Sequence, residues 1–285
     1  MKRPVRTSEW QPLFLPQKAG NYVNDHCILR GPDGRWHLFG ITSHAGGSEN
    51  ERYFVHAAGD SLTAPMTELG VVIDNGMRAW SPAVIEQGGL YYMFYGPSPT
   101  KLDVSEELTH WMGYEVRLED APPLAVHRDH MVHRLPDGTF IMYAVGVKGG
   151  HGCVSALTSR DLLHWRFVGY ALTSGGDAPL TPPWGAFESP YLVERDGLYY
   201  LFVTYTDCSR QTYEDTLVAC SPDPFRFGHY DGHNGEELFL ARLQGHASEI
   251  LCDAQSGQWY MTTCGWRDYG IPVEGGVAIA GLTWQ

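Results

Sequence analysis

The sequence has few charged residues, with Asp, Glu, Lys and Arg at 19% of its 285 positions, against about 25% in ordinary soluble domains. Coiled coils, long helical bundles and disordered chains are all rich in charged or helix-forming residues. The composition therefore argues against these three classes and favours a chain of short strands and turns.

Basic residues are fewer than acidic ones. The sequence has 20 Lys and Arg and 33 Asp and Glu, which gives a net charge of −13. A phosphate backbone or an anionic membrane surface would be repelled by this charge. Neither nucleic acid nor a membrane is expected as a partner.

Long apolar runs and paired cysteines are both lacking. There is no 18-residue apolar stretch, and the first ten residues contain no run that resembles a signal peptide. The six cysteines lie far apart without a Cys-x-x-Cys pair, which disfavours a zinc ribbon or a thioredoxin-type motif. We expect a cytoplasmic protein with reduced thiols.

Glycine and aromatic residues are abundant, and they follow a repeated pattern. A short apolar strand, a glycine turn and an aromatic-rich strand recur five times, with the turn glycines at Gly34, Gly89, Gly138, Gly197 and Gly257. Asp33-Gly34, Asp137-Gly138 and Asp196-Gly197 predict type I′ hairpin turns, and Gly88-Gly89 suits the same geometry.

The repeat length predicts the architecture. A unit of roughly 50 to 60 residues with about four strands has the size of a propeller blade. We therefore predict an all-β fold, a single five-bladed β-propeller over residues 1–285, with blades beginning near residues 22, 78, 126, 185 and 245. A two-sheet sandwich also has regular short strands, but it does not explain five copies of one pattern.

The repeat register brings acidic residues together. Counting back nine residues from each turn glycine gives Asp25, Trp80, Asp129, Glu188 and Ser248. Because the innermost strands of a propeller line one central channel, Asp25, Asp129 and Glu188 are expected to meet there. Clustered carboxyls repel each other, so that one stays protonated while another is ionised. Glycoside cleavage needs this pair of states, although strand capping or cation binding would also use such acids.

Ordered motifs at the blade starts resemble glycoside hydrolase family 43. They are Asn24-Asp25-His26, Trp80-Ser81-Pro82-Ala83-Val84, Arg128-Asp129-His130, Glu188-Ser189-Pro190-Tyr191-Leu192 and Gly245-His246-Ala247-Ser248. Two outer-strand segments, at residues 105–111 and 159–165, are similar to that family's Ser-x-Asp-Leu-x-x-Trp strand ends. The similarity covers nearly the whole chain.

This resemblance implies an inverting hydrolase that needs no cofactor. Asp25 matches the general base, Glu188 the general acid, and Asp129 the residue that keeps the pKa of Glu188 high. His246 matches a histidine near a bound ion, so calcium or another ion on the channel axis is a further expectation.

Some positions depart from the family pattern. His26 and His130 replace the prolines that usually follow the two aspartates, and Ala83 replaces a residue that is often acidic. Because neighbouring strand residues point to opposite faces, we expect both histidines to face away from the aspartates and to hydrogen-bond between blades.

Aromatic and polar residues beside the catalytic positions are candidates for sugar binding. Aromatic faces stack on the C–H groups of a sugar ring, while amides and charged groups bind its hydroxyls. The predicted substrate contacts are Asn24, Trp80, Arg128, Trp184, Phe187 and His246, with Tyr22 flanking them.

Three functions stay open at this point. The first is an inverting arabinofuranosidase or xylosidase that acts on a small oligosaccharide. The second is a retaining enzyme that resembles the β-fructosidases of families 32 and 68, with Asp25 as nucleophile and Asp129 as transition-state stabiliser. The third is a propeller that binds a carbohydrate or other small ligand without hydrolysis. The sequence does not determine an oligomeric state.

Overall fold

The computed structural model describes residues 1–43, 47–120, 127–178, 186–207, 212–265 and 274–285. Their strands form five small, mainly antiparallel sheets in a five-blade ring, as the repeat predicts. Within the described ranges, no helix is long and apolar enough to cross a membrane. The cysteines in these ranges, Cys27, Cys153, Cys220, Cys252 and Cys264, are free thiols.

The first two blades follow a pair of short N-terminal strands. These are β1 (Pro4–Arg6) and β2 (Gln11–Phe14). The first blade contains β3 (Asn24–Arg30), β4 (Trp36–Thr42), a 3-10 helix (Ser48–Asn50), β5 (Tyr53–Gly59) and β6 (Thr67–Val72). The second contains β7 (Trp80–Gln87), β8 (Leu90–Gly96), β9 (Lys101–Ser105) and β10 (Met112–Tyr114).

The third blade is the largest. Its strands are β11 (Arg117–Glu119), β12 (His127–Arg134), β13 (Phe140–Lys148), β14 (His151–Ser159) and β15 (His164–Ser174), and the later strand β19 (Gly228–Tyr230) also pairs with β15. The fourth blade contains β16 (Phe187–Arg195), β17 (Leu198–Asp207), β18 (Thr212–Ser221), a one-turn helix α1 (Gly235–Leu238) and β20 (Phe239–Gln244).

The fifth blade joins the two ends of the chain. It contains β21 (Ile250–Asp253), β22 (Gln258–Cys264) and β23 (Val277–Trp284), and both β1 and β2 pair antiparallel with β23. The N-terminal strands therefore complete the last sheet and close the ring, which removes an exposed sheet edge.

The aromatic strands bury side chains on both faces of each blade. Successive residues of a strand point to opposite faces. In β17, Tyr200 and Phe202 pack toward the fifth blade, whereas Leu201 and Val203 pack toward the third. Similar apolar clusters fill each of the other blade interfaces. This two-sided burial explains why the repeated strands are so rich in aromatic residues.

The hairpin loops between the first two strands of the blades differ in length. Gly88-Gly89 and Asp196-Gly197 form two-residue loops with positive φ at both positions, which confirms the type I′ prediction there. The prediction is wrong for Asp33-Gly34 and Asp137-Gly138. In these three-residue loops the glycine has positive φ and the aspartate does not.

Candidate active site

Four of the five inner strands carry an irregularity near their start. The pairing of β3, β7, β12 and β16 with the following strand skips at a β-bulge, and a residue within the bulge has positive φ. The residues concerned are Asp25 (37°), Ser81 (49°), Asp129 (54°) and Ser189 (47°), and Ala247 (49°) has the same conformation in the fifth blade. Positive φ is unusual for such residues, and bulges of this kind aim side chains at functional sites.

These five positions correct the register that the sequence predicts. Ser81, Ser189 and Ala247, and not Trp80, Glu188 and Ser248, are equivalent to Asp25 and Asp129. The register differs because the hairpin loops have unequal lengths. In the second and fourth blades the loop has only two residues, so counting back from the turn glycine lands one residue early. In the fifth blade the loop between Asp253 and Gln258 is longer, so the same count lands one residue late, on Ser248 and not on Ala247.

The three predicted carboxyls nevertheless lie in one network. Arg128 Nη2 donates to Glu188 Oε1 at 2.9 Å, and Arg128 Nη1 pairs with Asp129 Oδ2. Ser189 Oγ donates to Asp25 Oδ1 at 2.6 Å, and the Ser189 amide donates to Asp129 Oδ2 at 3.1 Å. All three acids are at most 8% exposed. Burying several carboxyls with one guanidinium is costly, which is typical of a functional site.

The surroundings separate the pKa values of two of these acids. Burial, together with the charges of Asp25 and Glu188, raises the pKa of Asp129 to about 6, although Arg128 opposes this rise. Burial would also raise the pKa of Glu188, but Arg128 and His246 outweigh it and hold that pKa below its usual value. Asp129 was expected to keep the pKa of Glu188 high. The pKa of Glu188 is lowered instead, because Arg128 pairs with both carboxyls.

His246 is buried against the fourth blade. Its Nε2 lies 3.7 Å from Glu188 Oε2, and its Nδ1 is 3.0 Å from the Cys264 carbonyl oxygen. Since a carbonyl only accepts, Nδ1 donates there. Among the described residues, no group of three or more His, Cys, Asp or Glu side chains is placed to hold a metal ion. This finding does not test an ion held near His246 by fewer side chains, which stays a prediction, and no reaction step depends on one.

The predicted substrate-binding residues have different outcomes. Asn24 and Trp80 directly precede the bulge residues Asp25 and Ser81, and the Asn24 Oδ1 is buried without a hydrogen-bond partner among the described residues. The guanidinium of Arg78 lies 5.3 Å from the centre of the half-buried Trp80 ring. Trp184 lies outside the described residues.

Phe187 is not a substrate contact. Its side chain is 0% exposed and packs into the core between the third and fourth blades, with its ring 5.9 Å from that of Tyr205. The prediction is wrong because neighbouring strand residues face opposite ways, so a residue beside Glu188 points into the blade interface.

The two histidines that follow the aspartates bond between blades, as predicted. His26 Nε2 lies 2.8 Å from Thr262 Oγ1 of the fifth blade, and His130 Nε2 lies 2.9 Å from Thr100 Oγ1 of the second. Burial lowers the pKa of His26 to about 3, so its ring is neutral in the folded protein at physiological pH.

Glu51 is a site residue that the sequence analysis missed. It is 2% exposed, and the Tyr22 hydroxyl donates to its Oε1 at 2.8 Å. Burial and the charge of Asp25 raise the pKa of Glu51 to about 7, with Tyr22 opposing the rise. Glu51 follows the 3-10 helix between β4 and β5 and belongs to no motif, so no sequence signal identifies it.

Ser81 and Ser189 were also missed, although the sequence does carry a signal for them. Both precede a proline, at Pro82 and Pro190, and both sit six residues before the last paired residue of their strand. Ser81 Oγ lies 2.6 Å from Asp25 Oδ2 and 2.7 Å from Asp129 Oδ1. The serines thus connect acids of the first and third blades.

A cavity of about 480 Å³ extends along the inner strands from this site. Its lining includes Asp25, Ser81, Asp129 and Ser189, with Tyr191 and Glu249 among its further residues. The two aspartates therefore face an axial space large enough to hold several ordered water molecules.

No protein-family model matches the chain, and no curated protein sequence matches it. Similarity is found among solved structures.

A thermostable family-43 glycoside hydrolase has a TM-score of 0.69 at 14% identity, covering 97% of this chain and 92% of the other. A family-43 β-xylosidase/α-arabinofuranosidase from a compost microbial metagenome, solved with xylotriose, has a TM-score of 0.60 at 15% identity, with coverages of 99% and 94%. The family-32 β-fructofuranosidase of Bombyx mori has a TM-score of 0.60 at 15% identity, with coverages of 99% and 61%. These similarities confirm the expected fold resemblance to family 43.

Proposed function

We propose that the protein is a glycoside hydrolase that removes a terminal pentose or furanoside from a small oligosaccharide, with arabinofuranosidase or xylosidase specificity and inversion at the anomeric carbon. The observation that carries this proposal is the meeting of Asp25, Asp129 and Glu188, from three blades, around the buried Arg128. The fold likeness to a β-xylosidase/α-arabinofuranosidase supports the choice of sugar.

In this mechanism Asp25 is the general base. The hydroxyl of Ser189 donates to Oδ1 of Asp25 at 2.6 Å and holds this carboxyl in place. The carboxylate can accept a proton from a water molecule that attacks the anomeric carbon. Asp25 also lines the axial cavity, whose lining does not include Glu188.

Glu188 is the general acid, which protonates the departing oxygen on the other side of the sugar ring. Arg128 and His246 lower its pKa, so the protonated form is scarce at neutral pH in the free protein. Bound sugar excludes water from the site, and desolvation of the carboxyl favours its protonated form. We therefore expect hydrolysis to be fastest at acidic pH.

The fructofuranosidase likeness supports a second candidate, a retaining enzyme with Asp25 as nucleophile. The stereochemistry of the product distinguishes the two mechanisms. Inversion yields the opposite anomer from that of the substrate, whereas a covalent intermediate on Asp25 yields the same anomer.

The test is a screen of nitrophenyl arabinofuranoside, xyloside, galactoside and fructofuranosyl substrates, with the first-formed anomer followed by NMR. Asp25→Asn and Glu188→Gln should each reduce hydrolysis by about a hundredfold to ten-thousandfold while the circular dichroism spectrum is retained, because each removes one of two required proton transfers. Asp103→Asn is the matched control. That acid accepts a hydrogen bond from Tyr95 in the second blade, outside the site.

Retention of full activity by both Asp25→Asn and Glu188→Gln would contradict the site assignment. A protein that binds these sugars but hydrolyses none of them would instead be a binding propeller.

A further inference from the structure

Ser81 makes two contacts that one hydroxyl hydrogen cannot satisfy. Its Oγ is 2.6 Å from Asp25 Oδ2 and 2.7 Å from Asp129 Oδ1. A serine hydroxyl has a single hydrogen to donate. If both aspartates were ionised, one of these short contacts would bring two oxygen atoms together without a hydrogen between them. A second hydrogen must therefore come from one of the carboxyls.

The other contacts of the two acids indicate which carboxyl carries it. Asp25 receives the Ser189 hydroxyl on Oδ1, so its two oxygens face two serine hydroxyls. In Asp129, Arg128 and the Ser189 amide both bond to Oδ2. The remaining oxygen, Oδ1, faces Ser81 and is free to hold a hydrogen.

We propose that Ser81 and Ser189 are positioning residues that hold Asp25 and Asp129 as a pair sharing one proton, with Asp129 protonated and Asp25 ionised. In this arrangement Asp129 Oδ1 donates its hydrogen to Ser81 Oγ, and the Ser81 hydroxyl donates to Asp25 Oδ2. The catalytic consequence, an Asp25 kept ready as a base, rests on the proposed function. The hydrogen-bond arrangement itself does not.

Charges around the pair agree with this arrangement. The groups that act on it are Arg128 beside Asp129, Glu188 across Arg128, and Glu51 and His246 near Asp25. The guanidinium of Arg128 is shared with Glu188, so it does not fully neutralise Asp129. Burial and the negative charge of Asp25 raise the pKa of Asp129 to about 6, consistent with a proton on that residue below neutral pH.

Backbone conformation places all four side chains for this network. Asp25, Ser81, Asp129 and Ser189 have positive φ at equivalent positions of four successive blades. Positive φ is strained for such residues and persists where surrounding structure enforces it. Hydrogen bonds between the serines and the aspartates link blades one to four at the axis.

The experiment is carbon-13 NMR of the full-length protein labelled at the aspartate carboxyls, titrated between pH 4 and 9. Asp25→Asn and Asp129→Asn assign the two signals. We expect one of the pair to titrate near pH 6 and to vanish in Asp129→Asn. In Ser81→Ala this upper pKa should fall by about one pH unit, because the singly protonated state loses the hydroxyl that joins its members.

Ser248→Ala is the matched control. Ser248 lines the same cavity, is 3% exposed and bonds to Thr216 Oγ1 at 3.0 Å. Its loss should leave both aspartate titrations in place, even if the variant has a lower melting temperature. In Ser189→Ala the carboxyl signal of Asp25 should change its chemical shift, since this carboxyl loses a hydrogen-bond donor.

Titration of both aspartates below pH 5 in the unaltered protein would overturn the proposal, as would equal titrations in Ser81→Ala and Ser248→Ala. If the signal near pH 6 appears and moves in Ser81→Ala, but no glycoside is hydrolysed, the proton-sharing pair stands and the proposed function fails. Hydrolysis without that signal would leave the function supported and the pair refuted.

Discussion

Arg128 Nη2 donates to Oε1 of Glu188 across 2.9 Å, and this bond joins the third blade to the fourth at the axis of the ring. The same guanidinium pairs with Asp129 through Nη1. One buried cation therefore balances two buried carboxyls. The protonation of both acids depends on it.

Arg128→Met tests this dependence. Loss of the guanidinium leaves Asp129 without its ion pair and Glu188 with only His246 beside it, which should lower the free energy of unfolding by about 3 kcal/mol. It should also raise the pKa of Glu188, so the fall of kcat/KM on the alkaline side moves to higher pH. Chemical denaturation and the pH profile of hydrolysis measure these effects.

The control for Arg128→Met is Arg226→Met, since Arg226 is 86% exposed and its ion pair with Asp223 is 3.8 Å long. This variant should change the free energy of unfolding by less than about 0.5 kcal/mol. An Arg128→Met protein as stable as the control, with an unmoved pH profile, would show that the guanidinium does not balance the two acids.

Glu51→Gln tests the pH dependence of folding. Burial raises the pKa of Glu51 to about 7 in the folded protein, from an ordinary value near 4.3 when unfolded. Below that ordinary value Glu51 is protonated in both states, so its contribution to stability is fully present. As the pH rises through the folded value the contribution is lost, at a total cost of about 4 kcal/mol.

The difference in unfolding free energy between the unaltered protein and Glu51→Gln should therefore fall by this amount between pH 4 and pH 8. Denaturation curves at a series of pH values measure it. Glu49→Gln, two residues away and exposed, should follow the unaltered protein at every pH. Parallel curves for Glu51→Gln and the unaltered protein would mean that Glu51 titrates normally.

Leu13→Ala tests ring closure by the N-terminal strands. Leu13 lies in β2, is 0% exposed and packs in the core between the fifth and first blades. The substitution should lower the free energy of unfolding by about 3 kcal/mol. Leu15→Ala, at a position 58% exposed, should change it by less than about 0.5 kcal/mol. Equal values for the two variants would show that β2 does not support the ring.

The sequence predicted the five blades because each one repeats the same local pattern of strand, glycine turn and aromatic strand. It did not predict that β1 and β2 pair with β23, since this pairing joins segments from the two ends of the chain and leaves no local pattern. Asp25 and Asp129 were found with the correct register because their hairpins have equal loops.

Glu188 was found as a site residue although its register was one residue off. The serines were overlooked for the same reason, since two-residue hairpin loops shift the count by one position in the second and fourth blades. Glu51 depends on tertiary structure alone. Its role comes from burial beside Tyr22 and from the nearby charge of Asp25, which no spacing in the sequence encodes.

The five positions of positive φ near the axis, one in each blade, have φ between 37° and 54° and carry different side chains. Four of them hold Asp, Ser, Asp and Ser, while the fifth, Ala247, holds a methyl group and donates its amide to Thr204 Oγ1 at 2.8 Å. Ala247 packs with the core between the fifth and first blades and also lines the axial cavity, so the fifth blade adds a methyl group there and not a polar side chain. The polar side chains at these positions therefore come from four of the five blades, and the ring is asymmetric at its axis.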